Sequence, residues 1–159
     1  MEIIYVRADR CLGCKTCEIE CRIAHADTEK TLFAALSQTR PPKRRLFVEQ
    51  GESDKAPIIC RHCEEAPCIV DCISGSIYRD EQGFVRRNKE RCIGCWSCIM
   101  ACPFGVVVRD AEAHIAVKCD HCPDLETPAC VVGCPTKALQ LVDVDDLPKE
   151  RRQEFMLRG

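Results

Sequence analysis

Aromatic side chains are scarce in this sequence, with one Trp, two Tyr and five Phe among 159 residues. A chain of that length has room for one compact domain or two very small ones, and so few rings leave little with which to fill an ordinary apolar core. Long apolar runs are missing too. Charges interrupt each one before it reaches the roughly 18 residues a membrane helix needs, so no direct membrane span is expected. The N-terminal "MEIIYVRADRC" shows no basic leader, no long apolar stretch and no small-residue cleavage site, so no export signal is read there. The expected compartment is the cytoplasm, where thiols stay reduced. There is no G-x-G-x-x-G, no phosphate-binding glycine loop and no nucleophile with an activating base, which argues against an enzyme.

What the chain has is cysteine: 16 of its residues. They fall into four quartets, Cys11, Cys14, Cys17 and Cys21; Cys60, Cys63, Cys68 and Cys72; Cys92, Cys95, Cys98 and Cys102; and Cys119, Cys122, Cys130 and Cys134. Disulfides, zinc or iron-sulfur clusters could each use so many thiols. Disulfides belong to exported scaffolds. Zinc usually takes two separated cysteine pairs, often with histidine, and would make this a structural or interaction module. Here every cysteine belongs to a quartet and every quartet ends in C-x3-C. The first and third have the C-x2-C-x2-C-x3-C spacing of bacterial ferredoxins, and the third continues as "CPFG". Three close cysteines wrap one cubane, while the fourth, on the helix that follows, points to another cluster. All 16 cysteines are therefore expected to be metal ligands, holding four [4Fe-4S] clusters.

The quartets alternate. "CLGCKTCEIEC" and "CIGCWSCIMAC" are one tight unit, whereas "CRHCEEAPCIVDC" and "CDHCPDLETPACVVGC" carry an extra loop before the third cysteine. "SIYRDEQGFVRR", turning at Gly83, reads as a hairpin leading to Cys92, and "VVVRD" with "HIAVK" as another leading to Cys119. "EIIYVRA" reads as a strand entering Cys11, and a short helix is expected after each tight loop. Only 19 residues separate Cys72 from Cys92, against 38 between Cys21 and Cys60. That spacing favours an inner module of quartets two and three, closed around by one and four, but adjacent pairing stays open.

The framework from Cys11 to Cys134 resembles the four-cluster iron-sulfur subunits of molybdopterin oxidoreductases and formate hydrogenlyase. Within that superfamily, "CKTCEIEC", "CRHCEEAPC", "CIGCWSCIMACPFG", "KCDHCPDLETPACVVGCPTKAL" and "TLFAALSQTRPPKRRLFVE" are most similar to the ferredoxin-like subunit associated with carbon-monoxide dehydrogenase. The resemblance implies an α+β fold of two pseudo-symmetric, nested bacterial-type ferredoxin modules. Residues 1–35 and 106–145 would form the outer module and 56–105 the inner one, with a basic, proline-containing insertion at 36–55 and a tail at 146–159. It implies that Cys11, Cys14 and Cys17 share a cluster with Cys134; Cys119, Cys122 and Cys130 with Cys21; Cys60, Cys63 and Cys68 with Cys102; and Cys92, Cys95 and Cys98 with Cys72. The function implied is one-electron transfer, with carbon-monoxide dehydrogenase as donor and a flavin- or nicotinamide-dependent oxidoreductase or a hydrogenase as acceptor. The alternative donors are a formate dehydrogenase, a hydrogenase or a tungsten-dependent aldehyde oxidoreductase. The pattern departs from C-P after two quartets, which end Cys21-Arg22 and Cys72-Ile73, so different hydrogen bonding is expected there.

Outside the cysteines the sequence says less. His62 and His121, each just before a second cysteine, read as loop residues whose rings donate to sulfur or backbone, and His25 and His114 offer less still. Trp96 would shield a cluster or fill space. The run "RPPKRR" from Arg40 to Arg45 could dock an acidic partner surface. Arg86, Arg87, Lys89 and Arg91 would compensate cluster charge, since four thiolates on a +2 core leave roughly −2 per oxidised cluster. Added to a formal net charge of −2, this makes nucleic acid an unsuitable partner. The tail "PKERRQEFMLRG" reads as a short exposed helix that orders in a complex.

Overall fold

The structure is a computed structural model that describes residues 2–52 and 54–158. Strand β1 (Glu2–Val6) leads through a single 3-10 turn (Ala8–Arg10) into the first cysteine loop. Helices α1 (Thr16–Ala24) and α2 (Leu32–Ser37) follow, then β2 (Phe47–Gln50) and β3 (Lys55–Ile58). The second quartet carries α3 (Pro67–Val70). It is joined by β4 (Ile77–Arg79) and β5 (Val85–Arg87) to the third, which carries α4 (Ser97–Ala101). Strands β6 (Val108–Asp110) and β7 (Ile115–Val117) lead to the fourth quartet with α5 (Ala129–Val132), and β8 (Leu139–Asp143) and α6 (Leu147–Arg158) close the chain. The α+β class expected from the sequence is the one found. No helix among the described residues is long and apolar enough to cross a membrane.

The two expected hairpins form, and an aspartate shapes each turn. Asp80 Oδ1 accepts from Gln82 N–H (3.0 Å) and Phe84 N–H (2.8 Å) while Gly83 supplies a φ of +89°. Asp110 Oδ1 accepts from Ala113 N–H at 3.1 Å before His114 turns at φ +54°. Such side-chain bonds to the following backbone are why aspartate begins turns. The register is Ile77↔Arg87 in one hairpin and Val108↔Val117 in the other.

Two pairings were not foreseen. β1 pairs antiparallel with β8, Ile4 opposite Leu141 and Val6 opposite Leu139, which ties the start of the chain to the segment after Cys134. The insertion is not a loop: β2 lies within it and pairs with β3, which runs on from its last residue into 56–58, Val48 opposite Pro57. Leu46 and Val48 join Ile4, Cys17, Cys21, Ile59, Cys130, Cys134, Ala138 and Leu139 in one buried cluster. A second holds Ala66, Cys68, Ile77, Val85, Cys98, Val107 and Ala116, so the β6–β7 hairpin contributes to it. Cysteines make up a large part of both cores, as the shortage of aromatics requires.

The basic run is also reoriented by this hairpin. Arg44 Nη1 lies 3.2 Å from Glu18 Oε2, Arg45 pairs with Asp120, and Arg40 Nε lies 3.0 Å from Glu112. Arg44 and Arg45 thus turn inward, against the expectation that they face a partner. The tail forms the expected helix but is already anchored, because the buried Arg7 guanidinium donates to Glu154 Oε2 at 3.0 Å and to Asp9.

Glu18 is the hinge of the insertion. Buried on α1, it accepts from Val48 N–H at 2.7 Å as well as pairing with Arg44. Glu18→Ala would leave a buried amide and a half-buried guanidinium without their acceptor, a cost of about 1–3 kcal/mol. The expected outcome is loss of visible absorbance at lower urea than the unaltered holoprotein, with no change in secondary structure content before the transition.

Candidate metal centres

The four cysteine loops use backbone geometry that few residues favour. In the tight quartets Gly13 (φ +70°) and Lys15 (φ +62°) match Gly94 (φ +66°) and Trp96 (φ +68°), while in the loose ones His62 (φ +48°) matches His121 (φ +63°). Left-handed residues between right-handed ones turn successive N–H groups to one side, forming a concavity suited to anions. Lys15 and Trp96 also begin α1 and α4, taking the position a helix usually gives to a side-chain cap.

The structure brings the cysteines together in sets of four. One cavity is lined by Cys11, Cys14, Cys17 and Cys134; one by Cys92, Cys95, Cys98 and Cys72; and one by Cys60, Cys63, Cys68 and Cys102. The remaining four also converge. The Cys130 thiol is pushed up by burial and next by the neighbouring thiols of Cys119, Cys21 and Cys122. In each cavity the fourth cysteine comes from a different quartet than the first three.

Around the sulfurs the donors repeat between quartets. Thr16 Oγ1 donates to Cys14 Sγ at 3.4 Å, and Ser97 Oγ lies 3.6 Å from Cys95 Sγ. Ile77 N–H donates to Cys72 Sγ at 3.3 Å with Ser74 Oγ at 3.7 Å; Ala138 N–H donates to Cys134 Sγ at 3.1 Å with Thr136 Oγ1 at 3.9 Å. Cys72 and Cys134 therefore have the same surroundings although only Cys134 precedes a proline. The expected difference at the Cys72-Ile73 site is not seen in these bonds. Gly13 N–H and Ala116 N–H reach Cys11 and Cys92, each at 3.4 Å.

These sites suit iron-bound thiolates better than free thiols. Burial pushes the Cys17 thiol up to about 12 and Cys98 to about 11, so without metal both would stay protonated at neutral pH. Cluster binding must displace those protons. Among the buried nitrogens without a protein partner, two belong to residues lining cysteine cavities: Arg87 Nη1, beside the cavity of Cys72 and Cys92, and Nε2 of His62, beside that of Cys60. The His62 tautomer is fixed by Val85 N–H, which donates to Nδ1 at 3.0 Å and leaves the proton on Nε2. Burial, then the charge of Lys118, pushes this ring down to about 3, so it is neutral. Unsatisfied buried donors facing a cysteine cage fit the sulfur-rich anion that the cage would hold.

The other singled-out residues fall into three places. His62, Phe84 and His121 form a ring cluster, Phe84 stacked on His121 at 4.1 Å and edge-on to His62 at 5.3 Å. Trp96 lines the cavity of Cys92, Cys95, Cys98 and Cys72, meets His114 edge-on at 5.5 Å and lies under Arg109 at 5.0 Å. His25, which the sequence left aside, donates from Nδ1 to Cys21 O (2.7 Å) and from Nε2 to Asp120 (3.1 Å). Burial opposes its charge, but Asp120 and Cys21 carry it up to about 9, giving an internal imidazolium. Its spacing four residues after Cys21 on a helix was a legible signal. Asp120 was not singled out, yet it gathers His25, Arg45 and Cys122 N–H (3.1 Å) around one carboxylate.

Of the glycines, Gly94 is the most constrained. A Cβ there would lie 2.6 Å from both the carbonyl oxygen and the ring of His114, at a φ already unfavourable. Gly105 has a similar φ of +63° with nothing within 4 Å. Gly94→Ala is expected to lose about a quarter of the iron, one cluster in four, while Gly105→Ala keeps all of it and is destabilised only by the left-handed strain of about 1–2 kcal/mol. Iron and sulfide analysis of anaerobically purified variants checks this.

Comparison with known proteins gives the geometry its family. Residues 52–144 match the family described as "4Fe-4S dicluster domain". The electron transport protein HydN of Escherichia coli K12 is 36% identical over 173 aligned residues, covering 97% of each chain. The thiosulfate reductase electron transfer subunit PhsB of Salmonella typhi is 36% identical over 147, covering 89% of this chain and 76% of its own. In fold, the chain is similar to a chain of the active site complex BamBC of benzoyl coenzyme A reductase. The TM-score is 0.52 at 22% identity, over 99% of this chain and 90% of that one. With its 16 cysteines the protein fits four [4Fe-4S] clusters and has the non-catalytic, electron-carrying role of its relatives. The chain belongs to the 4Fe-4S dicluster domain family of ferredoxin-type electron transport proteins.

Proposed function

We propose that this protein is the electron-transfer subunit of a multi-subunit oxidoreductase, its four cysteine sets arranged as one line. The proposed ligand sets are Cys11, Cys14, Cys17 and Cys134; Cys119, Cys122, Cys130 and Cys21; Cys60, Cys63, Cys68 and Cys102; and Cys92, Cys95, Cys98 and Cys72. The observation that carries the reading is the sharing of three cavities by cysteines from nested quartets. Bound there, clusters supply one-electron storage at low reorganisation, while the chain supplies spacing, shielding and docking. The order of sets follows from neighbouring thiols: Cys17 acts on Cys130, Cys60 on Cys119, and Cys68 on Cys98. The first and last sets also hold the two exposed cysteines, Cys14 and Cys95. Both ends of the line thus open to the surface, and these are the proposed points of entry and exit.

The outer module, 1–35 with 106–145, and the inner module, 56–105, correspond to this nesting, with the β6–β7 hairpin bridging them by packing in the inner core. As catalytic partner we favour an oxidoreductase of the formate dehydrogenase or hydrogenase kind. Likeness to HydN and to a reductase's electron transfer subunit supports that choice over carbon-monoxide dehydrogenase, to which the sequence motifs pointed first. A cytoplasmic setting is part of the proposal.

Ligand sharing has a direct test in double substitutions. Cys11→Ala with Cys134→Ala should remove no more iron than either change alone, because both empty one site. Cys119→Ala with Cys134→Ala should remove twice as much; equal losses in the two doubles would reject the nested sets. Partner identity is read by gentle anaerobic isolation from the host and mass spectrometry of what co-purifies. A formate dehydrogenase or hydrogenase subunit, with reduction by formate or hydrogen, is the expected result. A nickel-iron carbon-monoxide dehydrogenase, with reduction by carbon monoxide, would overturn the partner choice and leave the relay intact.

A further inference from the structure

Lys118 is buried to 3% exposure, and lysine is rarely enclosed without an anion. Its Nζ donates to Val85 O and, at 2.6 Å, to Cys119 O. Both acceptors are neutral main-chain carbonyls. An ammonium has three donors, and among the described residues no third acceptor and no carboxylate meets this one. Asp120, two residues on, is already engaged by His25, Arg45 and Cys122 N–H. An enclosed positive charge without a counter-charge is strongly disfavoured.

The missing counter-charge has a definite place. Lys118 lines the cavity of Cys60, Cys63, Cys68 and Cys102, and its second carbonyl belongs to Cys119 of the neighbouring set. Burial pushes the thiols of Cys68 and Cys119 up, one in each set, and the charge of Lys118 works against that shift in both. The end sets differ: neither of their cavities is lined by Lys118. We propose that Lys118 is a positioning cation shared by the two middle cysteine sets, held there to favour the added electron on the clusters they bind and so to make the centre of the line easier to reduce than its neutral equivalent would be. The inference rests on the ligand sets proposed above. Reduction adds one negative charge to a cluster, and a fixed cation close by lowers the energy of the reduced form more than that of the oxidised one.

The test is a potentiometric titration of the full, cluster-loaded chain followed by electron paramagnetic resonance, for Lys118→Met, Lys118→Gln and Lys118→Arg. In the Met and Gln variants two of the four clusters should show a reduced-to-oxidised ratio lower by on the order of tenfold at a fixed potential, about 59 mV for a one-electron couple. The other two should keep their midpoints, and Arg should restore the unaltered values. Four loaded clusters with no shift, or an equal shift in all four, would overturn the proposal. Should the neutral variants fail to load, loss of iron in Met and Gln with full loading in Arg supports the charge, while equal loss in Arg assigns Lys118 to packing and overturns it. An unaltered chain with fewer than four clusters would refute the ligand sets themselves, a different failure that iron analysis reveals before any titration.

Discussion

A thiolate-bound iron-sulfur cluster carries negative charge into a protein interior, and charge enclosed without partners costs several kcal/mol. This chain must meet that cost four times with 159 residues and few large side chains. The solution begins in the backbone. Left-handed residues at Gly13, Lys15, Gly94 and Trp96 turn main-chain N–H groups inward, and Ile77, Ala116 and Ala138 aim further amides at sulfur. Side-chain cations add to these: an imidazolium at His25, a half-buried guanidinium at Arg87 and a buried ammonium at Lys118.

Repetition of the quartets is structural as well as sequential, but the covers over them differ. His114, at the turn of the β6–β7 hairpin, presses on Gly94; Lys55, from β3, takes the corresponding place over Gly13, its Cδ lying 2.7 Å from where a Cβ would sit. Two hairpins of unrelated sequence thus cap the two tight loops. Val48 and Pro57 line one cavity from the β2–β3 hairpin, and Ala116 lines the other from β7. The insertion between the first two quartets is therefore the counterpart of a cluster cover. That is why Arg44 and Arg45 point inward to Glu18 and Asp120 instead of outward.

Legibility from sequence tracked how local each determinant is. Cysteine spacing, the Asp80–Gly83 turn and the short helices after tight loops depend on residues within a few positions of one another, and all could be read. The pairing of β1 with β8 could not, because Ile4 and Leu141 are brought together only once α1 packs on α5; Gly133 allows that approach by leaving room for Glu20. Spacing alone left nested and adjacent sharing open, since loop lengths constrain a fourth ligand weakly. Asp120 and Lys118 were missed for a related reason. Each looks like an ordinary charge beside a cysteine until burial and partners give it a role.

The distribution of exposure then decides what the line of sites can do. Cys14 and Cys95, in the proposed end sets, are exposed, whereas every cysteine of the proposed middle sets is buried or half-buried. An electron relay needs this contrast, because a middle site open to water would lose electrons to oxidants that the ends are meant to select. The ends are also unlike. Exposed Leu12 and Lys15 flank one, an apolar side chain beside a basic one; exposed Ile93 flanks the other, with Trp96 under Arg109. Pseudo-symmetric loops with different surfaces suit a carrier between two different proteins, since equal ends would let either partner dock at both and the line would lose its direction.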